Sequence, residues 1–171
     1  MHPVDVEASL KSMVCLVDTR EQDTPAFRER VSHFDQWERH KLDAGDYSAK
    51  FLLPNGEWFY LPVAVERKYA IDELCQCYCR ERSRFKREFE RAYEARNKLY
   101  LLVEGGTWEN IYQGKYRSHM ASNALVASIL AWLARYDCQL LFCQKKTSGQ
   151  LIKDILYREG KEALEKIEVD E

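Results

Sequence analysis

Residues 44–68 read AGDYSAKFLLPNGEWFYLPVAVERK, and the parsing of this stretch decides the fold. Pro54-Asn55-Gly56 in its middle is a turn signal between two strand-like runs, 46–53 and 57–68, which predicts a hairpin. Each run carries charge at one end: Asp46 opens the first, and Glu66-Arg67-Lys68 closes the second. Residues two apart on a strand project to the same side, so Glu66 and Lys68 share a face and Arg67 takes the other.

Outward from the hairpin, the apolar run Met13-Val-Cys-Leu-Val-Asp18 reads as a buried strand ending in an acid. Phe27, Val31 and Phe34 at helical spacing predict a helix over about 25–41, with Thr24 as N-cap and Pro25 in the first position. A long helix is expected over 71–96. Its buried face is Ile71, Leu74, Tyr78, Phe85, Phe89 and Ala92, and Arg80, Arg84, Arg87 and Arg91 lie in line opposite. Such a row can match a run of phosphates, with Glu88 and Glu94 one turn away to offset part of it. A strand over 98–104, the break Gly105-Gly106, a helix near 118–136, a strand over 138–143 and a helix over 148–167 complete the series. Strands alternating with helices predict an α/β fold with a mixed β-sheet flanked by helices.

A length of 171 residues fits one domain spanning 1–171, with a core of about 13–167 and an acidic tail at 168–171. No apolar run approaches a membrane span and the N-terminus lacks a signal-peptide core, so no membrane association and a cytoplasmic, bacterial or phage-type setting are expected. The six cysteines then read as reduced thiols. Cys75, Cys77 and Cys79 alternate, but on a helix residue 77 points away from the other two and no histidine lies within nine positions. A structural zinc is therefore not expected. His33, His40 and His119 show no motif spacing.

A net charge of −2 taken alone argues against nucleic acid, but its distribution does not. Residues 1–66 hold 7 basic and 12 acidic residues, whereas 67–98 hold 10 basic and 6 acidic. An acid and a lysine on one strand face, with an aspartate from a neighbouring strand, suit metal-assisted phosphodiester cleavage: oxygen ligands take Mg²⁺ or Mn²⁺, and the lysine stabilises developing charge. This is the arrangement called PD-(D/E)XK, found in restriction-like nucleases.

Gly45-Asp46, a gap of 19 residues, Glu66-Arg67-Lys68, three residues and then Asp72 resemble the signature of the XPF family of structure-specific endonucleases. Val17-Asp18-Thr19-Arg20-Glu21 looks like that family's first catalytic strand. Ser83-Arg84-Phe85 with Glu88 and Ala92 resembles the helix after the signature, and Leu101-Leu102-Val103-Glu104-Gly105 the next strand. With the helix from Ser122 the resemblance covers about 13–160. It implies a restriction-endonuclease-like three-layer fold and a metal-dependent DNA endonuclease acting on branched, flapped or forked DNA. The alternatives are a Holliday-junction or restriction-type nuclease on the same fold, or a non-catalytic DNA-binding scaffold.

Carried over residue by residue, the resemblance implies that Asp46 and Glu66 hold the divalent metal, with the Arg67 backbone carbonyl and Asp18 as further contacts. Asp18 and Glu21 would complete the acidic pocket, and Lys68 would be the catalytic lysine. The Arg67 side chain suits either a carboxylate partner or a substrate contact, and Asp72 suits a cap on the long helix. Arg20 and Arg84 are candidates for orienting acids or phosphates. Leaving out Asp18, Glu21, Asp46 and Glu66, the remaining chain is +2.

Family members usually carry a tandem helix-hairpin-helix module after the nuclease domain, and some carry a helicase before it. Neither is in this sequence, so the expectation is a stand-alone nuclease domain whose DNA recognition falls to the arginine row, a second subunit or a separate partner. Ala121, Ala124, Ser128 and Ala131 form a small-residue stripe that, with Leu125, Leu133 and the last helix, suits a homodimer or heteromeric interface. Internal packing explains it equally. Trp58 and Tyr60 suit base stacking or cross-strand packing.

Overall fold

The computed structural model describes residues 1–167, so the acidic tail expected at 168–171 lies outside the described residues. The elements in chain order are α1 (Pro3–Lys11), β1 (Val14–Val17), α2 (Pro25–Val31), β2 (Trp37–Arg39), β3 (Tyr47–Leu52), β4 (Trp58–Tyr60), β5 (Val63–Lys68), α3 (Ile71–Cys79), α4 (Arg82–Glu94), β6 (Lys98–Glu104), α5 (Trp108–Tyr112), α6 (Ser122–Tyr136), β7 (Gln139–Cys143) and α7 (Ser148–Glu165). Strand order is β2-β1-β3-β5-β6-β7 with β4 on β3, a mixed sheet flanked by helices. The chain divides into two compact units. One holds 1–42, 46–64 and 149 onward; the other holds 43–45 and 65–148.

In the first unit β1 runs parallel to β2 and antiparallel to β3, and β3 antiparallel to β4. Burial of all four β1 residues marks it as a central strand. Thr24 caps α2 as expected, its hydroxyl accepting the Phe27 N–H at 3.1 Å. The helix expected over 25–41 stops at Val31, however, because Trp37–Arg39 form a ladder with Cys15–Val17. Pairing with a central strand overrides the local helical pattern. The run 57–68 likewise divides into β4 and β5 around Pro62, which has no N–H to give a ladder. Two glycines let α7 pack closely. A Cβ on Gly149 would stand 2.4 Å from the Arg30 carbonyl oxygen, and one on Gly160 2.2 Å from the Phe51 ring.

In the second unit β6 and β7 are parallel, from Tyr100 beside Gln139 to Glu104 beside Cys143. The six residues expected on one helix face, Ile71 to Ala92, are all buried, but on two helices rather than one. Residues 80–84 are all exposed, so no buried side chain holds that stretch in a straight helix. A turn there brings Phe85 to 5.4 Å from Tyr78 and 5.9 Å from Trp132, inside an aromatic cluster that also holds Phe89 and Tyr136. Edge-to-face and stacked ring pairs, both present here, add about 0.5–1.5 kcal/mol each beyond burial.

Candidate functional site

The first unit contributes an acidic loop at the end of β1. Asp18 is buried, and its carboxylate accepts three hydrogen bonds. Arg20 donates its backbone N–H at 2.9 Å and Nε at 2.6 Å to one oxygen, and the Leu42 N–H reaches the other at 2.8 Å. Burial works against the Asp18 charge, but the Arg20 side chain and the two amides outweigh it and hold the carboxyl below its usual range. The Asp18 N–H donates to the Asp46 carbonyl at 2.9 Å, which fixes the backbone of Asp46 beside it. Glu21 accepts from the Tyr47 hydroxyl at 2.8 Å, and the buried Arg30 donates to that same hydroxyl at 3.1 Å. Arg39 closes the loop by donating to the Asp18 and Glu21 carbonyls at 3.1 and 2.6 Å.

The second unit contributes the end of β5. Glu66 and Lys68 are both buried and lie on one strand face, with Lys68 Nζ 2.5 Å from Glu66 Oε1. Burial pushes the Glu66 carboxyl well above its usual range. Lys68 opposes that rise, and the nearby Glu88 charge adds to it. Arg67 takes the opposite face and pairs with the Glu104 carboxylate at 3.4 Å. Glu88 does not offset the arginine row as expected. It is buried, and its carboxylate accepts the Gly45 N–H at 3.0 Å. Gly45 has φ +79°, a left-handed conformation that glycine adopts without strain.

Asp72 does not cap a helix either. Residue 70 is the N-cap, and Glu73 reaches back to the Tyr69 N–H at 2.7 Å. Asp72 Oδ1 instead accepts the Arg117 and Ser118 N–H groups at 2.8 and 2.7 Å. Arg84, Arg87 and Arg91 are exposed on α4, and Arg91 also donates to the Asp43 carbonyl at 3.3 Å. Arg80 lies in the turn between α3 and α4, so the row on a single helix has three members rather than four. Lys50, the cross-strand partner of Tyr60, holds its Nζ 4.4 Å from the Trp58 ring centroid and 6.0 Å from that of Tyr60.

Glu104, Tyr47 and Arg39 are parts of these arrangements to which the sequence assigned no task. Glu104 had a signal, an acid closing a buried strand just before Gly105, but no visible partner. Hard divalent cations prefer carboxylate oxygens, and a buried glutamate whose charge is disfavoured by its surroundings is a group that such a cation would stabilise. Glu66 meets that description in the chemistry of its donor atoms. Among the described residues no group of three or more His, Cys, Asp or Glu side chains is arranged to hold a metal ion. This includes Cys75, Cys79 and His119, which the fold brings to one groove despite their separation in sequence.

The ERCC4 domain model matches residues 17–155. The fold is similar to that of XPF from Aeropyrum pernix, 21% identical with a TM-score of 0.59 over 83% of this chain and 64% of that one. It is similar also to XPF from Aeropyrum pernix in complex with DNA, 21% identical with a TM-score of 0.60 over 88% of this chain and 66% of that one. The chain thus spans just under two thirds of the length of these solved proteins. Among curated proteins no sequence matches it.

Proposed function

The chain belongs to the ERCC4-domain family, and on that premise we propose that it is a metal-dependent DNA endonuclease acting on branched, flapped or forked DNA. The observation that carries the reading is the buried Glu66–Lys68 pair on one face of β5, inside the Glu-Arg-Lys signature. Asp46, Glu66 and the Arg67 carbonyl are the groups proposed to hold Mg²⁺ or Mn²⁺, with Asp18 and Glu21 completing the acidic surroundings. The chemistry such an ion supplies when bound is polarisation of the phosphoryl oxygen and a water of lowered pKa.

The remaining work falls to the chain's own residues. Lys68, already desolvated beside Glu66, stabilises the charge that develops on the scissile phosphate. Arg67, tied to Glu104, keeps the strand end in register, and Glu88 holds the Gly45 turn that leads into Asp46. Arg20, Arg80, Arg84, Arg87 and Arg91 are proposed to meet DNA phosphates. A second copy or a related chain is proposed to dock on α6, where Ala124 and Leu130 are exposed.

The test is cleavage of flap, fork, junction and plain duplex DNA by purified protein with Mg²⁺ or Mn²⁺. Asp46→Ala and Lys68→Ala are expected to abolish cleavage while circular dichroism stays as in the parent, with a lower thermal midpoint in Lys68→Ala because it leaves the buried Glu66 without its cation. Full activity in either variant removes the site assignment. DNA binding without any cleavage by the parent protein leaves a scaffold instead of an enzyme.

A further inference from the structure

A groove of about 900 Å³ opens beside α3, and of its lining residues the endonuclease reading gives a task to Arg80 alone. One wall is the chain leaving the signature, with Tyr69 directly after Lys68, followed by Cys75, Cys79 and Arg80. The other wall is the loop between α5 and α6, which presents Arg117 and His119. Tyr69 lines the groove and is 56% exposed, in the range of Tyr60, Tyr93 and Tyr112. Arg80, Arg117 and His119 are exposed too, and among the described residues Asp72 is the sole carboxylate lining the groove. Both backbone bonds that Asp72 accepts come from the loop, so the signature's last acid sets where that wall stands.

We propose that this groove is a track for an unpaired DNA strand, with Asp72 as the positioning residue that sets its basic wall. The inference rests on the endonuclease reading and deepens it by naming the part of the substrate that runs here. Arginines in a groove attract phosphates of either single or double strands. The exposed tyrosine favours the single strand, because a ring can stack only on a base face that is not already stacked in a duplex. Two arginines against one internally bonded carboxylate supply the charge complementarity, and Tyr69 in the lining directly follows Lys68 in the chain.

The test is metal-free binding, followed by fluorescence anisotropy with a labelled oligo-dT strand and a blunt duplex of equal length. The double variant Tyr69→Ala/Arg117→Ala is expected to bind oligo-dT about tenfold more weakly and the duplex within about twofold of the parent. Asp72→Ala is expected to lose oligo-dT affinity as well, and Asp72→Asn to retain it, because an amide oxygen still accepts the Arg117 and Ser118 N–H groups. On the parent protein, saturating oligo-dT should slow alkylation of the exposed Cys79 by N-ethylmaleimide, mapped by mass spectrometry, while the duplex leaves it unchanged. Unaltered oligo-dT affinity in the double variant, or a Cys79 that oligo-dT leaves unprotected, overturns the track. Protection by duplex equal to that by oligo-dT overturns its preference for an unpaired strand. Equal loss in Asp72→Ala and Asp72→Asn overturns the positioning role. None of these measurements needs cleavage, so an absence of nuclease activity with oligo-dT binding intact sinks the endonuclease reading alone.

Discussion

The two acidic regions differ in how their charge is satisfied. Asp18, at the end of β1, is buried under three hydrogen-bond donors, and its carboxyl is held below the usual range. Glu66, at the end of β5, is also buried, but burial raises its proton affinity and Lys68 is the cation against it. The first is a loop organiser whose charge is already compensated by fixed dipoles and a guanidinium. The second is a charge held in poor surroundings, the kind of group that a nearby cation stabilises. Acids that look alike in sequence are therefore unequal in how the fold satisfies their charge.

Replacing each ion pair with neutral groups breaks this comparison most sharply. Glu66→Gln/Lys68→Met is expected to cut the cleavage rate by at least about 10²–10³-fold. Its unfolding free energy should be unchanged or up to about 1–4 kcal/mol higher, because a buried ion pair often costs more in desolvation than it returns. Urea unfolding beside a flap-cleavage assay checks both halves, and a loss of stability comparable to the loss of function would erase the distinction. In the first unit Gly149→Ala should destabilise by about 1–3 kcal/mol, since the new methyl meets the Arg30 carbonyl and would shift the helix that holds Tyr47 and Glu21. A thermal midpoint equal to the parent's would show that α7 can move aside.

Asp18→Asn is expected to cost about 1–3 kcal/mol, because the amide nitrogen cannot accept from Leu42 or Arg20. Stability should fall here even in metal-free buffer, in contrast to the Glu66 pair. The smallest effect is expected on α4. Arg84→Ala or Arg87→Ala should leave stability within about 0.5 kcal/mol and lower the salt dependence of DNA binding by about one unit of slope. An unchanged slope would remove those arginines from the DNA path.

Buried thiols offer an independent check on the packing. Burial pushes Cys15 up to about 12 and Cys77 to about 11, so both stay protonated at pH 8 while Cys79 is exposed. Because the folded values lie above those of the unfolded chain, their contribution to stability is complete below about pH 8.5 and declines as pH rises further.

What the sequence determined by itself was local or periodic. The Thr24 cap, the limits of β6, the buried side of the 71–92 segment and the opposite faces of Glu66 and Arg67 follow from neighbouring residues and from the geometry of one strand or helix. The spaced acids and lysine carried the family resemblance in the same way. Only the tertiary structure decided which long-range partner each charge received. Arg67 with Glu104, Glu88 with Gly45 and Asp72 with the Arg117–Ser118 backbone join residues 37 to 46 positions apart. The turn after Cys79, the strand at Trp37–Arg39 and the gathering of Tyr69, Arg117 and His119 around one groove belong with them. The reason is physical: period and capping are written in adjacent residues, whereas a partner from a distant segment depends on the path of the chain between them.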